Sequence, residues 1–199
     1  MADVSVRAAR IEDAAHIARI QLDTWRQAYS EILPAQLLSS LTAERATEVW
    51  AQAISAKPSP RHHLFVALEQ QWIVGFTALG TVDENEPPAA QHTAEAGAET
   101  DASSGIAGET SWPEQAVLLG PLLVEPRWGR RGHGSRLLAA AIDHARGDGA
   151  RQALAWIPEA DQASNTFLRG AGWAPDGYVR GLDTGGQQLR EIRLHCLLD

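Results

Sequence analysis

The spacing of apolar residues changes along the chain, and each change marks an element. Val4-Ser5-Val6-Arg7-Ala8-Ala9 alternates and is rich in β-branched residues, which predicts a short first strand. From Ala14 the period lengthens. Ala14, Ile17, Ile20, Gln21 and Thr24 recur at three-to-four spacing, which predicts a helix that Asp13 can cap and that runs to about Tyr29. Leu33-Pro34 breaks it. A second helical stretch carries Leu37, Leu38, Leu41, Ala46, Val49 and Trp50 and continues to Ile54, before Lys57-Pro58-Ser59-Pro60 ends it. Leu64 to Leu68 and Trp72 to Gly80 are apolar runs joined by Glu69-Gln70-Gln71, the pattern of a β-hairpin.

Residues 83–115 then lose all apolar periodicity and are rich in Ala, Glu, Thr, Ser, Gly and Pro, which predicts a flexible acidic insertion. An apolar run from Val117 to Val124 predicts a strand. A loop follows that holds Gly129, Gly132 and Gly134, and a helical pattern occupies about 134–147. Ala153 to Ile157 predicts another strand. Asp161 opens a short helix through Phe167 and Leu168, which Gly170 and Gly172 end. Gly177 to Leu182 and Gln188 to Leu197 predict a last hairpin around Asp183-Thr184-Gly185-Gly186.

Composition bounds this picture. A chain of 199 residues with 44% hydrophobic content can form one domain with a sizeable core. No apolar run approaches a membrane span, and the start of the chain has no signal core, so cytoplasmic residence is the expectation. The single cysteine, Cys196, rules out an internal disulfide framework and a zinc–cysteine cluster. The seven histidines form no i, i+4 pair, so no metal is expected. The net charge of −8 is uneven: residues 83–115 hold eight acids and no Lys or Arg, and outside them acids and bases balance at 17 each. That leaves no broad basic face for nucleic acid, whereas the loop after Pro126 is locally basic.

This loop carries the chemistry. A strand, then a loop with Gly129, Gly132, Gly134 and Arg127, Arg130, Arg131, then a helix, is the sequence form of an anion site. Glycine lets the backbone approach the ligand, free N–H groups at the helix start point at it, and arginine matches phosphate oxygens. A nucleotide P-loop would end in Gly-Lys-Ser/Thr, but Gly134 is followed by Ser135-Arg136. A dinucleotide fingerprint would place a third glycine where Leu137 stands.

The stretch Val124-Glu125-Pro126-Arg127-Trp128-Gly129-Arg130-Arg131-Gly132-His133-Gly134-Ser135 resembles the acyl-CoA pyrophosphate loop of the GNAT N-acetyltransferase superfamily. Gly129 stands where that family usually has Gln or Arg, and Arg130 where it often has Gly; Gly132 and Gly134 are kept. A second patch, Asp161 to Trp173, resembles the family's Asn-x-x-Ala-x-x-Phe-Tyr followed by Gly-Phe/Trp. Phe167, Gly172 and Trp173 match, while Asp161 replaces Asn and Leu168 replaces the Tyr. The resemblance covers nearly the whole chain apart from the insertion. It implies one GNAT domain over residues 1–199, an α/β (α+β) fold with a mixed central sheet flanked by helices and splayed central strands.

It also implies acetyl-CoA as co-substrate. Leu122, Leu123 and Val124 would hold the acetyl-pantetheine arm, and the backbone of Arg130, Arg131, Gly132, His133, Gly134 and Ser135 the pyrophosphate, with Asn165 and Phe167 beside them. His133 itself is expected to face solvent or phosphate. In many members the replaced Tyr protonates the leaving thiolate. Leu168 cannot, so the alternatives are Tyr178, Tyr29, Asn165 or a water as the acid, or a thiolate that leaves without one. Glu114 is the nearest acid to the start of the motif strand and the candidate general base. Trp25 and Tyr29, one turn apart on one helix face, are candidate walls of the acceptor pocket.

The implied reaction is direct acetyl transfer to a primary amine, small molecule or peptide, in a ternary complex. Two rivals stand beside it: a non-catalytic acyl-CoA-binding protein, which Leu168 favours, and a regulatory protein whose acidic segment recruits a partner. The terminal strand pair offers an edge for a homodimer.

Overall fold

The computed structural model describes residues 4–88, 112–184 and 188–198; most of the acidic insertion expected at about 83–115 lies outside them. In chain order the elements are β1 (Val4–Ala8), α1 (Ala14–Ala28), α2 (Ala35–Ser40), α3 (Ala43–Ser55), β2 (His63–Glu69) and β3 (Trp72–Thr81). After the insertion come β4 (Ala116–Val124), α4 (His133–Gly147), β5 (Gln152–Pro158), α5 (Gln162–Gly170), β6 (Ala174–Asp183) and β7 (Gln188–Leu197). The predicted elements form at nearly the predicted places, with two revisions. Asp13 does not cap α1. Its carboxylate turns back to accept from the Arg10 N–H at 2.7 Å and from both Arg7 nitrogens at 2.6 and 2.9 Å. The second helical stretch is two helices: Leu41 is extended, and Thr42 starts α3 afresh by accepting from the Arg45 N–H at 3.3 Å.

The strands form one sheet in the order β1-β2-β3-β4-β5-β7-β6. Among the described strands only β4 and β5 run parallel, with α4 as the crossover between them. Period-two alternation sends neighbouring residues to opposite faces. Phe65 and Ala67 pack toward Leu137, Leu138 and Ala141 of α4, whereas Leu64 and Val66 pack toward Ile17 and Ile20 of α1. Leu137 and Ile17 are both fully buried, and such side chains each contribute about 1.5–3 kcal/mol. Helices therefore clamp both faces of the sheet.

The centre of the sheet is open. β4 and β5 pair only over Ala116–Leu119 and Gln152–Ala155, yet both strands continue, to Val124 and Pro158. β5 stays on β7 to its end, where Pro158 lies opposite Glu191. β4 stays on β3 but is bulged: Thr77 faces Leu122 and Leu79 faces Leu119, so Gly120 and Pro121 share one partner. Pro121 has no N–H to lose there, and a Cβ on Gly120 would meet the Ala78 Cβ at 3.3 Å. The bulge bends β4 away from β5, and this is the splay that the family resemblance implied.

Candidate active site

Two features meet at the gap. The first is the start of α4. Arg130 (φ 60°) and Gly132 (φ 82°) both take the left-handed conformation, so the chain curls before the helix begins at His133. The first N–H groups of a helix have no intrahelical acceptor, and the curl presents them together with the positive end of the helix dipole. Arg130 is exposed. Arg131 stacks on the Trp128 ring at 4.9 Å and bonds Glu69 at 3.0 Å. The His133 ring, expected to face solvent or phosphate, is instead buried. As the first residue of α4 it turns inward, where its Nε2 lies 2.9 Å from Glu69 and its Nδ1 has no partner. Glu69 thus ties the loop to the end of β2 through two side chains, and only the backbone of His133 faces the anion site.

The second feature is a cavity of about 560 Å³ in the split between β4 and β5. Leu122 and Leu123 form one wall, Trp156 and Pro158 the opposite one, and Phe167 and Leu168 of α5 a third. Trp25 of α1 and Tyr29, just past the end of that helix, close it with Leu33, Leu37 and Trp50. Gly134 joins the two features, because a Cβ placed on it would lie 3.5 Å from Phe167 and 3.7 Å from Leu122. The helix start therefore packs beside two of the cavity's walls. Val124 lies just past the walls, paired with Gly75, and Asn165 is buried and accepts from Arg169 at 3.3 Å. A shallower cleft of about 770 Å³ runs outside, between Asp23 and Arg26 of α1 and Glu125 to Arg127.

One end of the cavity is polar. The Tyr29 hydroxyl donates to Asp161 at 2.5 Å, and Asp161 also caps α5 by accepting from the Ser164 N–H at 3.0 Å. Burial, then the Asp161 bond and charge, push the Tyr29 phenol well above its ordinary range. A proton leaving it would strand a phenolate beside a carboxylate, which disfavours proton release from Tyr29. Glu191 of β7 reaches the same end and accepts from Arg180 Nε at 2.7 Å. Arg180 is held flat over the Trp156 ring at 4.4 Å.

Glu114 and Tyr178, the expected proton carriers, are not among the cavity walls. Glu114 is exposed in the 3-10 turn (Trp112–Gln115) ahead of β4, at the end of that strand far from Leu122. Tyr178 lies on the outer strand β6, 40% exposed, with Arg193 stacked 4.2 Å from its ring centre. Sequence reasoning missed Arg180, Glu191 and the pairing of Asp161 with Tyr29. The one available signal was a pair of charged residues, Arg180 and Glu191, within the last predicted hairpin.

The loop and the split sheet fit an acyl-CoA: N–H groups and arginine for the pyrophosphate, a narrow apolar gap beside an unpaired strand for the pantetheine arm. Among the described residues no three His, Cys, Asp or Glu side chains group as a metal site, and no helix is long and apolar enough to cross a membrane. Comparisons with known proteins agree with this reading. YuaI of Bacillus subtilis (strain 168), described as an uncharacterized N-acetyltransferase, is 27% identical over 193 residues, covering 96% of this chain and 91% of that protein. The fold recurs in yncA of Salmonella typhimurium, solved with its cofactor acetyl-CoA (TM-score 0.63, 16% identity, 98% of this chain and 94% of that one). It recurs in the PaiA N-acetyltransferase of Thermoplasma acidophilum, solved with coenzyme A (TM-score 0.64, 13% identity, 98% and 99% covered). The model of the acetyltransferase (GNAT) family matches residues 22–173, more than half of the sequence, and the chain belongs to that family.

Proposed function

We propose that the protein transfers an acetyl group from acetyl-CoA to a primary amine by direct attack, with both substrates held in the split sheet. The observation that carries this reading is the continuity of anion loop and cavity at Gly134, Leu122 and Phe167. The described strands form one sheet around that cavity, and we read the chain as a single catalytic domain.

The bound co-substrate supplies an activated acetyl thioester; the protein supplies position. Backbone N–H groups from Arg130 to Ser135 hold the pyrophosphate, and the β5-facing edge of Leu122–Val124 holds the extended arm. Trp25, Tyr29 and Leu37 hold the amine from the opposite side. Such placement replaces a covalent nucleophile. The amine nitrogen bonds to the carbonyl carbon as the carbon–sulfur bond breaks. Of the two protons that an ammonium gives up, one ends on the thiol and one in solvent. An aliphatic thiol has a pKa of about 8.5, so the thiolate leaves without the Tyr that Leu168 replaces.

A second reading, binding of acyl-CoA without turnover, is favoured by Leu168, which is buried and offers no proton. Calorimetry with acetyl-CoA on wild type and on an Arg130→Ala/Arg131→Ala variant tests the loop, and thiol release across an amine panel tests turnover. Binding that weakens in the variant, with thiol release, supports transfer. Binding without release for any amine leaves the second reading, and no binding at high micromolar acetyl-CoA refutes both.

A further inference from the structure

Building on the acyl-transfer reading, we infer that the acceptor is a compact apolar primary amine with a single positive charge, and that Glu191 is the residue that selects it. The argument starts from the walls. Trp25, Leu33, Leu37, Leu182 and Leu189 make the lining largely apolar, with Gln21, Ser164 and the buried Trp156 Nε1 among its few neutral polar groups. A polyamine would bring further charges into that lining, and a peptide would bring more backbone groups than those few can satisfy. The cavity holds about 560 Å³ for the amine, the acetyl group and the end of the pantetheine arm together, which leaves room for a small body only.

The charges at the polar end fix the rest. Glu191 is 8% exposed and Asp161 is 6% exposed. Arg180 Nε is the guanidinium nitrogen bonded to Glu191, and Asp161 receives only the neutral Tyr29 hydroxyl and the Ser164 N–H. Arg193, whose guanidinium is fully buried, is already taken by Asp176 at 2.7 Å and Glu86 at 2.7 Å. Glu191 lines the cavity beside Arg180, and Asp161 lies behind the lining residues Tyr29 and Ser164 with no guanidinium of its own, so the two carboxylates near this end hold one cation between them. A buried carboxylate without a counter-charge is unfavourable, and an ammonium supplies what is missing. A zwitterionic amino acid would leave the deficit in place. Glu191 is also well placed: it lines the cavity and lies opposite Pro158, at the end of β5 that has lost β4 as a neighbour.

The test uses thiol-release kinetics with 2-phenylethylamine, spermidine, L-phenylalanine and a lysine-containing tetrapeptide, on wild type and Glu191→Gln. Calorimetry with acetyl-CoA on both proteins serves as the check on folding. We expect kcat/KM for 2-phenylethylamine to exceed the others by about ten-fold or more. In Glu191→Gln its KM should rise about ten-fold, with the acetyl-CoA affinity unchanged. A third measurement needs no variant: wild type loaded with coenzyme A should bind 2-phenylethylamine about ten-fold more tightly than the neutral 2-phenylethanol. Preference for spermidine, phenylalanine or the peptide overturns the inference. So does an unchanged KM in a Glu191→Gln protein that still binds acetyl-CoA, or equal binding of amine and alcohol. If Glu191→Gln loses acetyl-CoA as well, the wild-type comparison of amine and alcohol decides. Failure of wild type to bind acetyl-CoA refutes the acyl-transfer reading itself, and the inference with it.

Discussion

Replacing Gly132 by Ala should separate two ways in which the anion loop can fail. Gly132 precedes α4 at φ 82°, a region in which an L side chain costs about 1–2 kcal/mol. A Cβ there would meet Arg136 NH1 at 2.8 Å, but that is the far end of a flexible side chain and can swing aside. The strain has two outlets. If the backbone holds its shape, the cost appears as lost stability, a fall in Tm of about 2–4 °C per kcal/mol for a chain of this size. If residue 132 relaxes to negative φ, the peptide N–H groups heading the helix swing off the pyrophosphate. Each hydrogen bond to a charged group is worth about 1.5–3 kcal/mol, so acetyl-CoA affinity then falls about ten- to hundred-fold. Gly134→Ala is the control. Its Cβ would find only ordinary contacts at 3.5–3.7 Å, and the helix gains up to about 1 kcal/mol. Thermal melts with and without acetyl-CoA, with calorimetry, read both outlets. A Gly132→Ala protein that matches wild type in both Tm and affinity, or a Gly134→Ala protein that is the worse of the pair, would refute the argument.

Three further perturbations test other parts. Burial alone would raise the Asp13 carboxyl, but the Arg7 bond and the Arg10 N–H outweigh it and hold the group below its usual range. Its contribution is therefore complete above the unfolded pKa of about 3.9 and is lost as pH falls through the lower folded value. Urea denaturation should show Asp13→Asn less stable by about 1–3 kcal/mol at pH 7, with the gap closing toward pH 2; a constant gap counts against it. Burial, then the neighbouring His63, depress the His62 imidazole, so stability should drop as pH falls through about 6.5, and His62→Gln should flatten that slope in melts between pH 7.5 and 5.5. Arg193→Met strands Asp176 and removes one partner of Glu86, which should cost about 3–5 kcal/mol while leaving acetyl-CoA affinity alone; a Tm within about 2 °C of wild type would contradict it.

Local patterns made most of the fold legible. The β2–β3 turn was readable because two apolar runs flank polar residues, of which Gln70 takes a φ of 57°. The β4–loop–α4 unit was readable because its glycines sit where the backbone must curl. Legibility fails where the site depends on residues far apart in the chain. Tyr29 and Asp161 are 132 positions apart, and only the fold sets the residue that follows α1 beside the residue that precedes α5. His133 misled because a residue between two glycines looks solvated, whereas the first position of α4 directs it into the protein. Glu114 misled because closeness in sequence to the motif strand says nothing about which end of that strand faces the cavity.

The parting of β4 from β5 also bears on solubility. A row of unpaired strand groups on the outside of a protein invites another chain to add itself, and natural sheets guard such rims. Here the unpaired row from Gly120 to Leu123 lines the half-buried cavity, whose other walls include Trp25 and Phe167. A foreign strand carries side chains on both faces and would have to seat them between those walls. A slim, unbranched chain can enter. The protein can therefore keep a sheet edge permanently ready for a partner and still be guarded against aggregation through it.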